Sequence, residues 1–198
     1  DSAAEIGFNE GNSAQYTWNV PHDLPGLIEA MGGKKRAIEK LDYFTKEVLT
    51  EGWNVEEPFY WPANQPSFIA PFVYTYAGAP EKSQKLIKSV IKNIFSNSPA
   101  GLPGNDDLGA TSAMYLFAAS GAYPLVPGEP QVTLTGTMAD QLTFNLDNGA
   151  SITIEAIGEE KITQPLSEIR INGEKADYFI DLERVIAKGE NLDLKFKY

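Results

Sequence analysis

Asp106 and Asp107 stand in the loop Gly101-Leu102-Pro103-Gly104-Asn105-Asp106-Asp107-Leu108-Gly109, directly ahead of the apolar run from Ala110 to Phe117. A second acidic cluster, Asn9-Glu10-Gly11-Asn12, lies near the amino terminus. Carboxyl groups at two separate loop sites suit acid/base chemistry, in which one protonated group gives a proton and one ionised group takes it. Gly and Pro punctuate loops because they accept or fix unusual backbone angles, so Asp106 and Asp107 are expected at a helix entrance and not in a core. The plain alternative for these aspartates is capping, since acidic side chains satisfy the free amides of a first helical turn. Asp106 is expected mainly as a cap and Asp107 mainly as a reacting group. His22, the single histidine, precedes a helical pattern and reads with Asp23 as a brace for the Glu10 loop. Trp18, Trp53 and Trp61 are the candidates for stacking on a ligand, with Trp61 foremost, although tryptophan in a helical protein more often packs in the core.

The elements that must carry these groups are helical first and extended later. Leu24, Leu27, Ile28 and Met31 recur at three- and four-residue steps until Gly32-Gly33. Lys34 to Leu49 follows, with Ile38, Leu41, Phe44 and Val48 on one face and a stop at Glu51-Gly52. Ser67 to Tyr76 is apolar almost all round, which predicts burial on several sides, and Pro71 marks its first turn. Glu81 to Phe95 and Leu108 to Ser120 complete five helical segments. After Pro124 the period becomes 2, in Val132 and Leu134, then Leu142, Phe144 and Leu146. Ile152, Ile154 and Ala156 answer them across a turn at Asp147-Asn148-Gly149, and Ile169 and Ile171 precede another at Asn172-Gly173. Leu192, Leu194 and Phe196 alternate last. The fold class is α+β, with a helical portion over residues 1–124 and a small antiparallel sheet or sandwich over 125–198, joined by a proline-rich connector.

Composition narrows the functions. The 198 residues carry 16 basic and 27 acidic side chains, a net charge of -11, which repels phosphate backbones and argues against a nucleic-acid partner. No apolar stretch approaches the roughly 18 residues of a membrane span, and the first residues lack signal-peptide character. The absence of cysteine excludes disulfides and thiolate chemistry and leaves the compartment open. Phe8, Tyr16, Trp18 and Val20 precede any complete element, as though the chain begins inside a larger fold.

The string from Glu10-Gly11-Asn12 through Gln15-Tyr16-Thr17-Trp18 to Pro21-His22-Asp23, followed by Gly101 to Asp107 and Ser112-Ala113, resembles glycoside hydrolase family 92, the calcium-dependent exo-acting α-mannosidases. Gly26-Leu27-Ile28-Glu29, Met31-Gly32-Gly33, Asn64, Pro66, Tyr74, Tyr76-Ala77-Gly78 and Tyr123-Pro124 extend the match over nearly the whole chain. The resemblance implies the carboxy-terminal part of an enzyme whose catalytic domain is an (α/α)6-type helical toroid, with the remaining amino-terminal part supplied as another chain or segment. It implies Glu10 as general acid, Asp107 as general base with Asp106 beside it, and Ca2+ held by Asn64, Gln65 and Asp107. The sugar-contacting set is Trp61, Trp18, Asn105, Gln15 and His22. The substrate class is a glycan or oligosaccharide that loses a terminal mannose with inversion, and the setting is the bacterial periplasm or extracellular space. Departures from the family pattern stand at Gln65, usually glutamate, Ile69, usually histidine, and Ala110, usually glutamine, with lesser ones at Met114 and Ala122. They touch metal and sugar contacts and keep open a glycan-binding or scaffolding relative without hydrolysis, or a different sugar.

Overall fold

The computed structural model describes residues 7–46, 59–159 and 161–198. It divides into two compact units, Asp1–Tyr115 and Leu116–Tyr198.

In the first unit, α1 (Ser13–Tyr16) is one turn closed by a capping box: Asn12 Oδ1 accepts from the amides of Ala14 and Gln15, and Gln15 Oε1 accepts from the amide of Asn12. A 3-10 turn, Pro21–Asp23, leads into α2 (Leu24–Ala30), where Asp23 Oδ1 accepts from the Gly26 amide at 2.9 Å. Gly32 and Gly33 then take left-handed backbone at φ 95° and 92°, which ends the helix where an L side chain would be strained. The next helix, α3 (Lys34–Thr45), buries Ala37, Leu41 and Phe44; its expected continuation to Leu49 and stop at Glu51-Gly52, and Trp53, lie outside the described residues. A second 3-10 turn, Gln65–Ser67, precedes α4 (Ala70–Tyr76), buried almost all round, with Pro71 in its first turn where a missing N–H costs nothing. Finally α5 (Pro80–Ile94) buries Leu86, Ile87, Val90 and Ile91 on its apolar stripe. Asp42 ties three helices together: the Tyr74 hydroxyl donates to its Oδ1 at 2.9 Å and lies 3.0 Å from Thr45 Oγ1, while Lys82 Nζ donates to both oxygens of Asp42 at 2.7 and 2.6 Å. Burial, with a smaller contribution from the Asp42 carboxylate, pushes the Tyr74 phenol well above its ordinary range.

The division between units falls inside α6 (Ala110–Ser120), ahead of the expected boundary at Pro124. The reason is local: the amides of Met138 and Thr135 donate to Ala119 and Gly121 carbonyls at 2.9 Å each, so the end of α6 is held by the strand unit. A Cβ on Gly121 would stand 2.3 Å from the Gly136 carbonyl carbon, so only glycine fits that approach.

The second unit has two sheets. One orders β1 (Ala122–Tyr123), β2 (Gln131–Leu134) and β7 (Phe179–Asp181). The other orders β3 (Gln141–Asn145), β4 (Ser151–Ile157), β8 (Leu192–Lys197), β5 (Glu168–Ile171) and β6 (Glu174–Lys175). Val132, Leu134 and Ile180 from the first sheet and Ile154, Ile169, Leu194 and Phe196 from the second form one buried cluster. The hairpin at Asp147-Asn148-Gly149 pairs Leu142 with Ile154 and Phe144 with Ile152. At the other expected turn, Asn172 and Gly173 both have positive φ, 49° and 86°, as a tight turn between right-twisted strands demands.

Two expectations are corrected here. The pairing is not antiparallel throughout, because β4 and β8 run parallel, with Ile154 opposite Leu194. Parallel neighbours need a long crossover, and the segment between them, holding β5, β6, β7 and a helix, supplies it. That helix, α7 (Glu183–Lys188), lies in the region read as strands; it ends at left-handed Gly189, and Asn148 Nδ2 donates to the carbonyls of Val185 and Ile186 at 2.9 Å each.

Candidate functional site

Three loops of the first unit surround a hollow of about 770 Å3. Residues 10–15 contribute Glu10, Gly11 and Gln15, residues 61–65 contribute Trp61, Ala63, Asn64 and Gln65, and residues 104–107 contribute Gly104, Asn105 and Asp107. The local reasons differ. The first loop is set by the capping box at Asn12 and by Tyr16, whose hydroxyl donates to the Asn9 carbonyl at 2.6 Å. The third loop is fastened to the first turn of α6: Ser112 N donates to Asp106 Oδ1 at 2.9 Å, Thr111 N to the Asp106 carbonyl at 3.1 Å and Thr111 Oγ1 to the Asn105 carbonyl at 3.0 Å. The middle loop joins the other two. Asn64 Nδ2 donates to the Glu10 carbonyl, and Gln65 Nε2 donates to Asp107 Oδ2 at 2.6 Å.

Glu10 and Asp107 are exposed, line the same hollow and share left-handed backbone, φ 54° and 50°. Left-handed backbone is strained for an L side chain and persists where surrounding structure over-determines it.

Of the remaining site residues expected from sequence, Trp61, Asn105, Gln15, Asn64 and Gln65 line the hollow. Gln15 does so with its amide already engaged, Nε2 donating to the Phe59 carbonyl at 3.2 Å. Three others stand elsewhere. Trp18 is only 3% exposed and packs beside Phe44 with ring centroids 5.8 Å apart, so an indole expected on a sugar serves the core instead. Asp106 faces helix α6 as its cap, and His22 is exposed on the first 3-10 turn. The hollow also uses Ala63 and Gly104, which sequence reading did not select; a Cβ on Gly104 would come within 3.3 Å of Ala63 Cβ, so small residues keep that wall open. The Gly-Pro character of residues 101–109 was the available signal for Gly104, and nothing marked Ala63. Of the family departures, Gln65 lines the hollow, whereas Ile69 and Met114 are buried at 8% and 1% exposure.

Among the described residues no group of three or more His, Cys, Asp and Glu side chains is placed to hold a metal ion. Asn64, Gln65 and Asp107 do bring two amides and one carboxylate to the same hollow. These hard oxygen donors fit Ca2+ in kind, but with one charge they provide fewer than the six to eight oxygens that ion takes.

The model of the glycosyl hydrolase family 92 catalytic domain matches residues 1–198. The chain belongs to this family. Among solved structures, a family 92 α-mannosidase of Bacteroides thetaiotaomicron superposes with TM-score 0.85 at 30% identity, over 100% of this chain and 26% of that one. A family 92 inverting mannosidase of the same organism gives TM-score 0.79 at 27% identity, over 96% of this chain and 28% of that one. An uncharacterized secreted glycosidase of Arthroderma benhamiae is 38% identical over 106 residues, 53% of this chain and 12% of its own length. The family 92 segment seen here thus spans about a quarter of the mannosidases it matches.

Proposed function

We propose that this family 92 segment is the carboxy-terminal part of an exo-acting, inverting α-mannosidase that removes terminal mannose from glycans. The observation that carries the reading is the convergence of Glu10 and Asp107, far apart in sequence, on one hollow. Glu10, as general acid, gives its proton to the glycosidic oxygen as the bond to the anomeric carbon breaks. Asp107, as general base, takes a proton from a water molecule whose oxygen attacks that carbon from the opposite face, so the released sugar has inverted configuration. Inversion calls for carboxyl groups roughly 6.5 to 9.5 Å apart, leaving room for the water. Trp61 and Asn105 orient the sugar. Asn64, Gln65 and Asp107 would hold Ca2+ in this reading, and the ion would supply positive charge that favours binding of sugar hydroxyls. The finer architecture belongs to the same reading: residues 1–124 as part of an (α/α)6 toroid and 125–198 as a β-sandwich, in an enzyme acting in the periplasm or outside the cell.

Glu10→Gln in the complete enzyme tests the assignment. Turnover of an aryl α-mannoside is expected to fall by roughly 100- to 10,000-fold with folding retained. Unchanged turnover would remove Glu10 from the role of acid. Proton NMR of the first product formed is expected to show the inverted anomer.

One observation favours a second reading. The Asp107 carboxylate is engaged by the neutral Gln65 amide, where the family usually has an acidic residue, as fits a relative that binds glycan without cleaving it. Calorimetry with mannose alongside the turnover assay separates the two, since binding without turnover favours the second.

A further inference from the structure

Glu10 is flanked by residues that side chains of α1 hold in place. Before it, the Asn9 carbonyl accepts from the Tyr16 hydroxyl at 2.6 Å; after it, the Asn12 amide donates to Gln15 Oε1 at 3.2 Å. Gly11 leaves room for this approach, since a Cβ there would come within 2.8 Å of Gln15 Oε1. The other end of the Gln15 amide reaches out of the loop, Nε2 donating to the Phe59 carbonyl at 3.2 Å. The same peptide unit donates the Tyr60 N–H to the Phe44 carbonyl of α3 at 3.0 Å, and Phe44 and Tyr60 are both buried. One line of hydrogen bonds therefore runs from the core carbonyl of Phe44, through the Phe59–Tyr60 peptide and the Gln15 amide, to the Asn12 amide two residues beyond Glu10. Bonds in such a series polarise and strengthen one another.

The partners fix which way the Gln15 amide points, because a backbone N–H can only donate and a backbone carbonyl can only accept. Its oxygen and nitrogen are thus both engaged within the protein, and the residue is only 6% exposed. We propose that Gln15 is a positioning residue for Glu10 and not a sugar contact: its amide ties the acid loop to the core of the first unit and so sets where the Glu10 carboxyl meets the glycosidic oxygen. The inference rests on Glu10 acting as the acid. None of the atoms in the line belongs to the groups assigned to Ca2+, so the task is separate from metal ligation. Capping of α1 does not account for it either, since the capping box uses Oε1 alone, whereas the Nε2 bond spans 44 positions of the chain.

The test uses the complete enzyme on two substrates of similar size: 2,4-dinitrophenyl α-mannoside, whose leaving group departs without a proton, and phenyl α-mannoside, whose leaving oxygen needs one from the acid. Gln15→Met removes both bonds. Gln15→Glu keeps the acceptor that caps α1 and sets an oxygen against the Phe59 carbonyl. Each variant is measured at its own pH optimum, so that a changed charge near the acid loop does not enter. Both are expected to lower kcat on the phenyl substrate about 10- to 100-fold, as a misplacement of about an ångström does, and on the dinitrophenyl substrate by no more than about threefold. KM should stay within about twofold on either substrate, because the sugar keeps its own contacts. Equal losses on the two substrates, a loss confined to KM, or full turnover of the phenyl substrate by Gln15→Glu overturns the proposal, and Gln15→Glu decides if Gln15→Met fails to fold. Glu10→Gln, run beside them, is expected to show the same contrast between substrates more strongly. Equal losses there would instead remove Glu10 from the role of acid, whatever the Gln15 variants do.

Discussion

At Asp107 the side chain and the backbone make separate demands, and they can be tested separately. Asn tolerates left-handed backbone about as well as Asp, so Asp107→Asn keeps the loop while removing the basic oxygen. Turnover is expected to fall by roughly 100- to 10,000-fold with an unchanged thermal midpoint; a matching drop in the midpoint would show that the residue serves the loop and not the reaction. Asp106 should behave in the opposite way. Its carboxylate caps α6 through Ser112, so Asp106→Ala is expected to cost about 1 kcal/mol in denaturant unfolding while kcat stays within a few-fold. The sequence showed both aspartates at a helix entrance; the contrast between them came from the family resemblance, and the contact of Asp106 with Ser112 adds to it. The sequence set Trp61 ahead of Trp18 as a stacking candidate without excluding Trp18. Both are indoles next to loop residues, and only the packing of Trp18 on Phe44 assigns it to the core.

Among the elements, α5 holds a group that makes stability depend on pH. Lys88 is only 4% exposed, and desolvation pulls its ammonium from the ordinary 10.5 down to about 8. In the folded state the amine releases its proton near pH 8, whereas in the unfolded chain it keeps the proton to about 10.5. Between those values the unfolded state binds more protons, so stability rises with pH through that window, and the desolvation penalty is fully present below pH 8. Lys88→Met is therefore expected to flatten the rise of stability with pH between about 8 and 10.5; an unchanged pH profile would show that another group is its source. The period of 3.6 exposed α2, α3 and α5 in the sequence, since each buries one stripe, while α4 and α6 showed as apolar runs. The single turn of α1 escaped it for lack of length, although Asn12 and Gln15 have capping-box spacing. Helix α7 escaped because six residues among strands show no period, even with Gly189 to mark its end.

For the molecule as a whole, alternation in the last third revealed which residues face inward but not which way the strands run, since a two-residue period reads the same in both directions. The parallel ladder of β4 and β8 was thus beyond reach of the sequence, while the inward placement of Leu192, Leu194 and Phe196 was not. Leu194 is fully buried at the centre of that sheet, so Leu194→Ala is expected to cost about 2 to 5 kcal/mol in the strand unit, read by denaturant unfolding. A loss below about 1 kcal/mol would mean the cluster relaxes around the void. The position of β8 also bears on the order of assembly. It is the last strand in sequence and the middle strand in space, flanked by β4 and β5. A growing polypeptide cannot complete this sheet until residue 197 has left the ribosome, and pairing β8 with β4 must close a loop of more than thirty residues, a slow step for a non-local contact. Proteolytic nicking between Ile157 and Leu192 would for the same reason free the keystone of the sheet and not its margin.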